Sequence, residues 1–374
     1  MSILDQATRV AATSLRACYR SHGIVAGNHH FTDYWARDGY FAALGALTIG
    51  DQEIVSKMVK LFFSYQKPSG QLPYRVMNGP MLSLSKYLGH PTYYKAPHPT
   101  YHLRGFGQPI FDGTTLSVLF AALLHETQYL PQIKLALKYL ESREKHGLLW
   151  DGPMAEWNDA VWKWGNLLYS NIIYWYVYDQ LARWQSKSNS PWSTLLSTKR
   201  DEIADSLRSR LWNGQFFADW HDYKRQDYFY PFGNCLAIAW GLTTKAETAS
   251  ILNECLHLAH DFTLETNSPK YPWWRIDPLH HLAGMGDYQN QHLLWWQPVS
   301  SYLAALYQSN QLDTAQLVAK QIQHKITRDQ TIYEVYTRDG QPVKRFNYTA
   351  EHPFAWASGM ILWALAYNKP HAKK

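Results

Sequence analysis

Two carboxylates in aromatic surroundings are the residues of this chain best suited to chemistry. Asp159 stands in Glu156-Trp157-Asn158-Asp159, with Trp162 and Trp164 close behind. Glu334 stands in Tyr333-Glu334-Val335-Tyr336, just ahead of a turn at Asp339-Gly340. Acetal hydrolysis needs such a pair: one carboxyl that donates a proton, and one carboxylate that activates water or attacks as a nucleophile. Aromatic neighbours desolvate a carboxyl and raise its pKa, which suits Asp159 to the role of acid. Glu334 is then the base. Each has a plainer alternative: a buried helix cap for Asp159, a polar loop residue for Glu334. Glu156 and Glu351 stay open as the acid and the base in their place.

Further motifs look fit to hold a polar, ring-shaped ligand. Tyr34-Trp35-Ala36-Arg37-Asp38 offers a stacking ring beside an ion pair, and Phe111-Asp112-Gly113-Thr114 offers a carboxylate where a helix begins. Capping its helix is an equal reading for Asp112, and a helix-dipole or simple salt-bridge role for Asp38. With Trp157, Asp287, Trp296, Tyr336, Glu351 and Trp356, the residues Trp35, Arg37, Asp38 and Asp112 make up the expected binding set. Sugar rings stack on such aromatics, and the chain has 17 Trp and 26 Tyr. A core that uses tryptophan as filler accounts for part of them.

These motifs need elements to bring them together. Hydrophobic periodicity predicts twelve helices: about Ile3–Tyr19, Ala36–Ile49, Asp51–Gln66, Asp112–Glu126, Pro131–Arg143, Gly165–Gln185, Pro191–Leu211, Pro231–Trp240, Thr244–His260, one from Gln297, Leu312–Ile326 and Pro353–Tyr367. The even-numbered ones are apolar nearly all round, as buried helices are. The third, ninth and eleventh carry one apolar stripe. Even-to-odd connections are very short, which makes antiparallel neighbours; odd-to-even connections are long, up to about 45 residues before Asp112. The expected fold is all-α, an (α/α)6 toroid of six helical hairpins in one domain over 1–374. A solenoid is the alternative, since the helices repeat at roughly 60 residues. In a toroid the long loops emerge at one end, so motifs distant in sequence converge there.

At these residues the chain resembles the (α/α)6 glycoside hydrolases: glucoamylases, glycogen-debranching glucosidases, glucosylglycerate hydrolases and neutral invertases. Trp35-Ala36-Arg37-Asp38 is similar to their Trp-x-Arg-Asp segment, whose Arg and Asp hold the terminal sugar. Glu156-Trp157-Asn158-Asp159 resembles a Thr-Trp-Met-Asp segment whose aspartate is the general acid, with Glu156 and Asn158 replacing the Thr and Met. Tyr333-Glu334-Val335-Tyr336, followed by Phe354-Ala355-Trp356, resembles the segment that carries the general base. The resemblance implies an inverting hydrolase that cleaves a terminal sugar, an α-glucoside, from a small saccharide or glycoside, without a cofactor. No β-domain or starch-binding module is evident, which speaks against a polymeric substrate.

Composition narrows the rest. Net charge is +6, with scattered Lys and Arg, so nucleic acid is not an expected partner. No apolar stretch runs long enough for a membrane span. Three cysteines without paired spacing argue against a disulfide framework, and Met1-Ser2-Ile3-Leu4-Asp5 does not read as a secretory leader; the expected location is cytoplasmic. The 17 histidines include no metal-ligand spacing, so no metal is expected. Two other functions fit the same toroid. A sugar 2-epimerase or isomerase would use two histidines, from His29, His281 and His292; a non-catalytic carbohydrate binder would use neither pair. The sequence does not tell the sugar, the linkage or the oligomeric state.

Overall fold

The computed structural model describes residues 3–79, 81–82, 93–94, 97–102, 110–187, 191–346 and 348–368. All twelve expected helices are among them, joined by one short helix that periodicity did not reveal. In chain order they are α1 (Ile3–Ala17), α2 (Ala36–Thr48), α3 (Gln52–Phe63), α4 (Asp112–Leu123), α5 (Leu130–Glu141), α6 (Leu168–Ser186) and α7 (Pro191–Leu211). After these come α8 (Pro231–Ala239), α9 (Lys245–Leu256), α10 (Pro278–Leu282), α11 (Trp296–Gln308), α12 (Leu312–Asp329) and α13 (Ala355–Ala366). The short newcomer is α10. Asp277 caps it by accepting from the His280 amide, and Pro278 fills its first turn.

Burial sorts the helices as their patterns predict. Every residue of α4 as far as Ala122, and every residue of α13 as far as Leu365, is buried. In contrast α12 buries Ala315, Val318, Ala319, Ile322 and Ile326, a single stripe at helical spacing. The buried helices pack in a cycle: α2 on α4, α4 on α6, α6 on α8, α8 on α11, α11 on α13, and α13 back on α2. Outside them α3 leans on α2 and α4, α5 on α4, α7 on α6, α9 on α8, and α12 on α11. The molecule is a helical toroid. Its cycle closes at a glycine pair: a Cβ on Gly45 would lie 2.3 Å from the Gly359 carbonyl oxygen, and one on Gly359 would lie 2.3 Å from that of Ala42. The α2 and α13 backbones touch there, and any larger residue would part them.

Short strands tie down the chain just before most of the inner helices. Tyr34–Trp35, leading into α2, pairs antiparallel with Arg75–Met77, which also pairs with His98–Thr100. Asn166–Leu167, leading into α6, pairs with Ala218–His221, and that with Arg225–Phe229 ahead of α8. Leu294–Trp295, leading into α11, pairs with Val335–Tyr336. Gly27 bridges Phe354, next to the start of α13. The inner helices' N-termini are thereby fixed around one opening. Opposite them the connections are short; that between α8 and α9 ends in a capping box, Thr244 with Glu247.

Candidate active site

The opening is a funnel of about 730 Å³. At its base a chamber of about 20 Å³ lies among Trp35, Arg37, Asp38, Tyr74, Asp112, Met154 and Asp159. The first turns of α2 and α4 build this base. Arg37 Nε donates to Asp112 Oδ2 at 2.5 Å, and its Nη2 reaches the Ala155 carbonyl at 3.4 Å. Asp112 therefore does not cap its helix: Phe111 holds the cap position, and its carbonyl takes the Thr114 and Thr115 amides. Burial raises the Asp112 carboxyl above its usual range, against the pull of Arg37. Arg37 makes its ion pair with Asp112, whereas for Asp38 that pairing was the plainer alternative to a ligand role. Burial pushes the Asp38 carboxyl up to about 7, with Arg37 pulling it down and Glu334 and Asp159 adding repulsion. Trp35 lies flat under Arg75, whose guanidinium carbon is 4.5 Å from the ring centre.

Asp159 lines the funnel on a loop held by one side chain. Gln289 accepts from the Ala160 amide at 2.9 Å and donates to the Trp157 carbonyl at 2.6 Å. Its own carbonyl takes Asn158 Nδ2 at 3.2 Å. The residues on both sides of Asp159 are thus fixed. Trp157 forms part of the wall, edge-on to Trp295 and Trp356. Trp162 and Trp164 are absent from the lining, so Trp157 alone of the three supplies aromatic surroundings on this side. Glu156 points the other way. It is fully buried in an ion pair with Lys163, whose Nζ also lies 3.0 Å from both Asp219 oxygens. Burial raises its carboxyl, while Lys163 opposes the shift.

Glu334 is held by three donors. The Tyr288 hydroxyl donates to Oε1 at 2.6 Å, the Tyr348 hydroxyl donates to Oε2, and the Glu351 amide reaches Oε2 at 3.2 Å. The two phenol oxygens stand 3.0 Å apart. Glu334 is 3% exposed and opens on the funnel. Burial pushes it up to about 7, although both phenols and the amide favour the charged form. Glu351 turns its back on the funnel. It accepts the amides of Asn28 (3.1 Å), His29 (3.0 Å) and His30 (2.6 Å), and His29 Nδ1 at 2.8 Å. Burial works to raise it, but these donors win and hold it below the usual glutamate range.

The expected binding set divides accordingly. Trp35, Arg37, Asp38, Asp112, Trp157 and Trp356 line the funnel or its base. Four do not. Asp287 forms a two-pronged ion pair with Arg345, 2.7 Å on each side. Trp296 is buried with its Nε1 on the Tyr333 carbonyl, Tyr336 is buried under Lys325, and Glu351 holds the amides of 28–30. Sequence reasoning did not assign Tyr288, Gln289 and Tyr348. The first two directly follow Asp287, a member of the expected binding set, whereas Tyr348 had no signal beyond standing three residues before Glu351. The long loop ahead of Asp112 falls outside the described residues at 80, 83–92, 95–96 and 103–109, and the Lys373-Lys374 tail does so too. None of His29, His281 and His292 lines the funnel; His281 Nε2 rests on the Trp273 carbonyl at 2.8 Å. Among the described residues no three His, Cys, Asp or Glu side chains group as a metal site, and no helix is long and apolar enough to cross a membrane.

No known family profile matches the chain, and no curated protein sequence does. Solved structures do. A GH63 mannosylglycerate hydrolase from Thermus thermophilus, in complex with glucose, superposes with a TM-score of 0.70 at 14% identity, over 95% of this chain and 99% of that one. The same hydrolase with Tris and D-glycerate gives 0.69 at 13% identity, over 96% and 99%. A glycosidase in complex with glucose gives 0.67 at 13%, over 97% and 96%. The helical toroid of this chain is the fold that these glycoside hydrolases share.

Proposed function

We propose that this chain is an inverting glycoside hydrolase, a single toroid of six helical hairpins, that removes a terminal sugar from a small saccharide or glycoside. The observation that carries the reading is that Asp159 and Glu334 both line one aromatic-walled funnel. Its volume falls in the usual range of small-molecule sites. Asp159, fixed on both sides by Gln289, protonates the glycosidic oxygen as the bond to the anomeric carbon breaks. Glu334 takes a proton from a water that attacks that carbon from the opposite face. The Tyr288 and Tyr348 hydroxyls aim the Glu334 carboxylate and leave lone pairs for the water. Trp35, Arg37 and Asp38 grip the far hydroxyls of the sugar at the base.

Attack by water from the face opposite the leaving group inverts the anomeric centre without a glycosyl-enzyme intermediate. The test is a screen of α-linked di- and trisaccharides with product anomers followed by NMR. An α-glucoside is expected to release β-glucose first. A retained anomer or a trapped covalent sugar adduct would overturn the mechanism. Fast loss of viscosity from a long glucan would overturn the terminal-sugar reading.

A further inference from the structure

The funnel changes character from base to mouth. The base is charged, with Arg37, Asp38, Asp112 and Asp159. Elsewhere the lining is in part apolar, with Phe31, Leu279, Ala283 and Met285. Leu279 is 61% exposed, so that part of the wall is the mouth. Leu279 and Leu282 stand three apart on α10 and share a face, and Leu282 is 85% exposed. Just before α10, Trp273 and Trp274 are 75% and 59% exposed. Exposed apolar side chains that form one patch mark a binding site, and Leu279 brings the apolar face of α10 to the funnel.

Among the described residues of the lining, Arg75 and His280 have acidic partners. Arg75 is paired with Asp33, with Nε 2.8 Å from Oδ2, and covers Trp35. His280 Nδ1 lies 2.9 Å from Asp277 Oδ2. Among the described residues His30 also lines the funnel, its ring stacked on Tyr348. An acidic group leaving the base would meet Arg75 and His280 already paired with Asp33 and Asp277. An apolar one would meet Leu279, Ala283 and Met285.

We infer that the leaving group of the substrate is apolar, an alkyl or aryl aglycone laid along α10 while its sugar sits at the charged base. The inference rests on the hydrolase reading above and names the substrate class for that site. It separates this chain from the similar hydrolase seen with D-glycerate, a carboxylate.

The test is a chain-length series: methyl, butyl and octyl glycosides of whichever of glucose and mannose turns over faster, below the micelle concentration, beside the glyceric acid glycoside. Each methylene buried adds about fourfold to binding. kcat/KM is therefore expected to climb by roughly that factor per methylene until the wall is covered, with the glyceric acid glycoside at the bottom. Leu279→Ser and Leu282→Ser should each flatten the climb. A flat profile, or preference for the acid, overturns the inference while leaving the hydrolase reading intact. No turnover of any glycoside, activated aryl glycosides included, fails the hydrolase reading and takes this inference with it. If the substitutions instead turn a dimer into a monomer on a sizing column and leave the slope unchanged, the leucines face a second copy and the inference fails.

Discussion

The loops at 151–167 and 332–354 each carry three carboxylates, and in each loop two of them are put to different uses. In both, one carboxylate faces the funnel (Asp159, Glu334) and the other pins the loop (Glu156, Glu351). The pins differ in kind. Glu156 is bound by charge, in a fully buried ion cluster with Lys163 and Asp219 that the Tyr271 hydroxyl completes at 2.5 Å. Glu351 is bound mainly by main-chain amides of residues 28–30. A buried ion cluster fails badly when one member is lost, because its partners stay charged and dry. An amide nest gives way more gently, because water replaces the lost acceptor at the half-exposed segment. The difference teaches that the position of a carboxylate in a motif says little about its use; what decides is which donors the fold brings to it.

The largest effect should separate the funnel carboxylates from the pins. Asp159→Asn and Glu334→Gln are each expected to lose at least 10²–10⁴-fold in turnover with an unchanged circular dichroism spectrum. Near-wild-type activity in both would collapse the distinction. Next comes the ion cluster. Lys163→Met should cost about 3–5 kcal/mol in urea unfolding; a cost near zero would mean that Glu156 and Asp219 are not held by it.

The third prediction uses the raised pKa of Glu334. Its folded value of about 7 lies above the ordinary 4.5. A raised carboxyl favours the folded state fully below 4.5, and that advantage is lost as pH rises through 7. Glu334→Gln should therefore gain on wild type between pH 5 and pH 8, by about 3 kcal/mol at most. Thermal melts at the two pH values check it, and an equal difference at both would sink it. On the proposed mechanism the same group should set the acidic limb of kcat/KM near pH 7, because a base works only when ionised. The smallest effect belongs to the amide nest. Glu351→Gln should cost about 2 kcal/mol. Since Glu351 is lowered, its contribution is present above 4.5 and disappears as pH falls below it, so variant and wild type should converge in acid.

Much of the fold was legible because helices declare themselves locally. The stripe of α12 and the all-apolar run of α13 can be read from neighbours in sequence. The short α10 could have been found from Asp277-Pro278, a cap followed by a first-turn proline. The two-residue strands could not, because their pairing rests on partners such as Trp35 with Arg75 that no local period marks. The candidate site was legible in its funnel-facing members, where motif and helix N-terminus coincide. Glu351 misled because its partners are amides, which leave no trace in side-chain identity. Glu156 misled because Asp219, which completes its ion cluster, lies on a distant strand. Tyr348 was missed because a phenol aimed at a carboxylate looks in sequence like any core tyrosine.

The touching backbones of Gly45 and Gly359 have a bearing on how the molecule is made. On a ribosome that adds about 5–20 residues each second, α2 emerges early and waits for α13. Until then the apolar flank of α2 that α13 covers has no other neighbour in the cycle to replace it. The amides of 28–30 also lack their carboxylate until Glu351 arrives. The funnel is thus among the last features that synthesis can complete, and the nascent chain has a long interval in which a holding chaperone could cover its first inner helix.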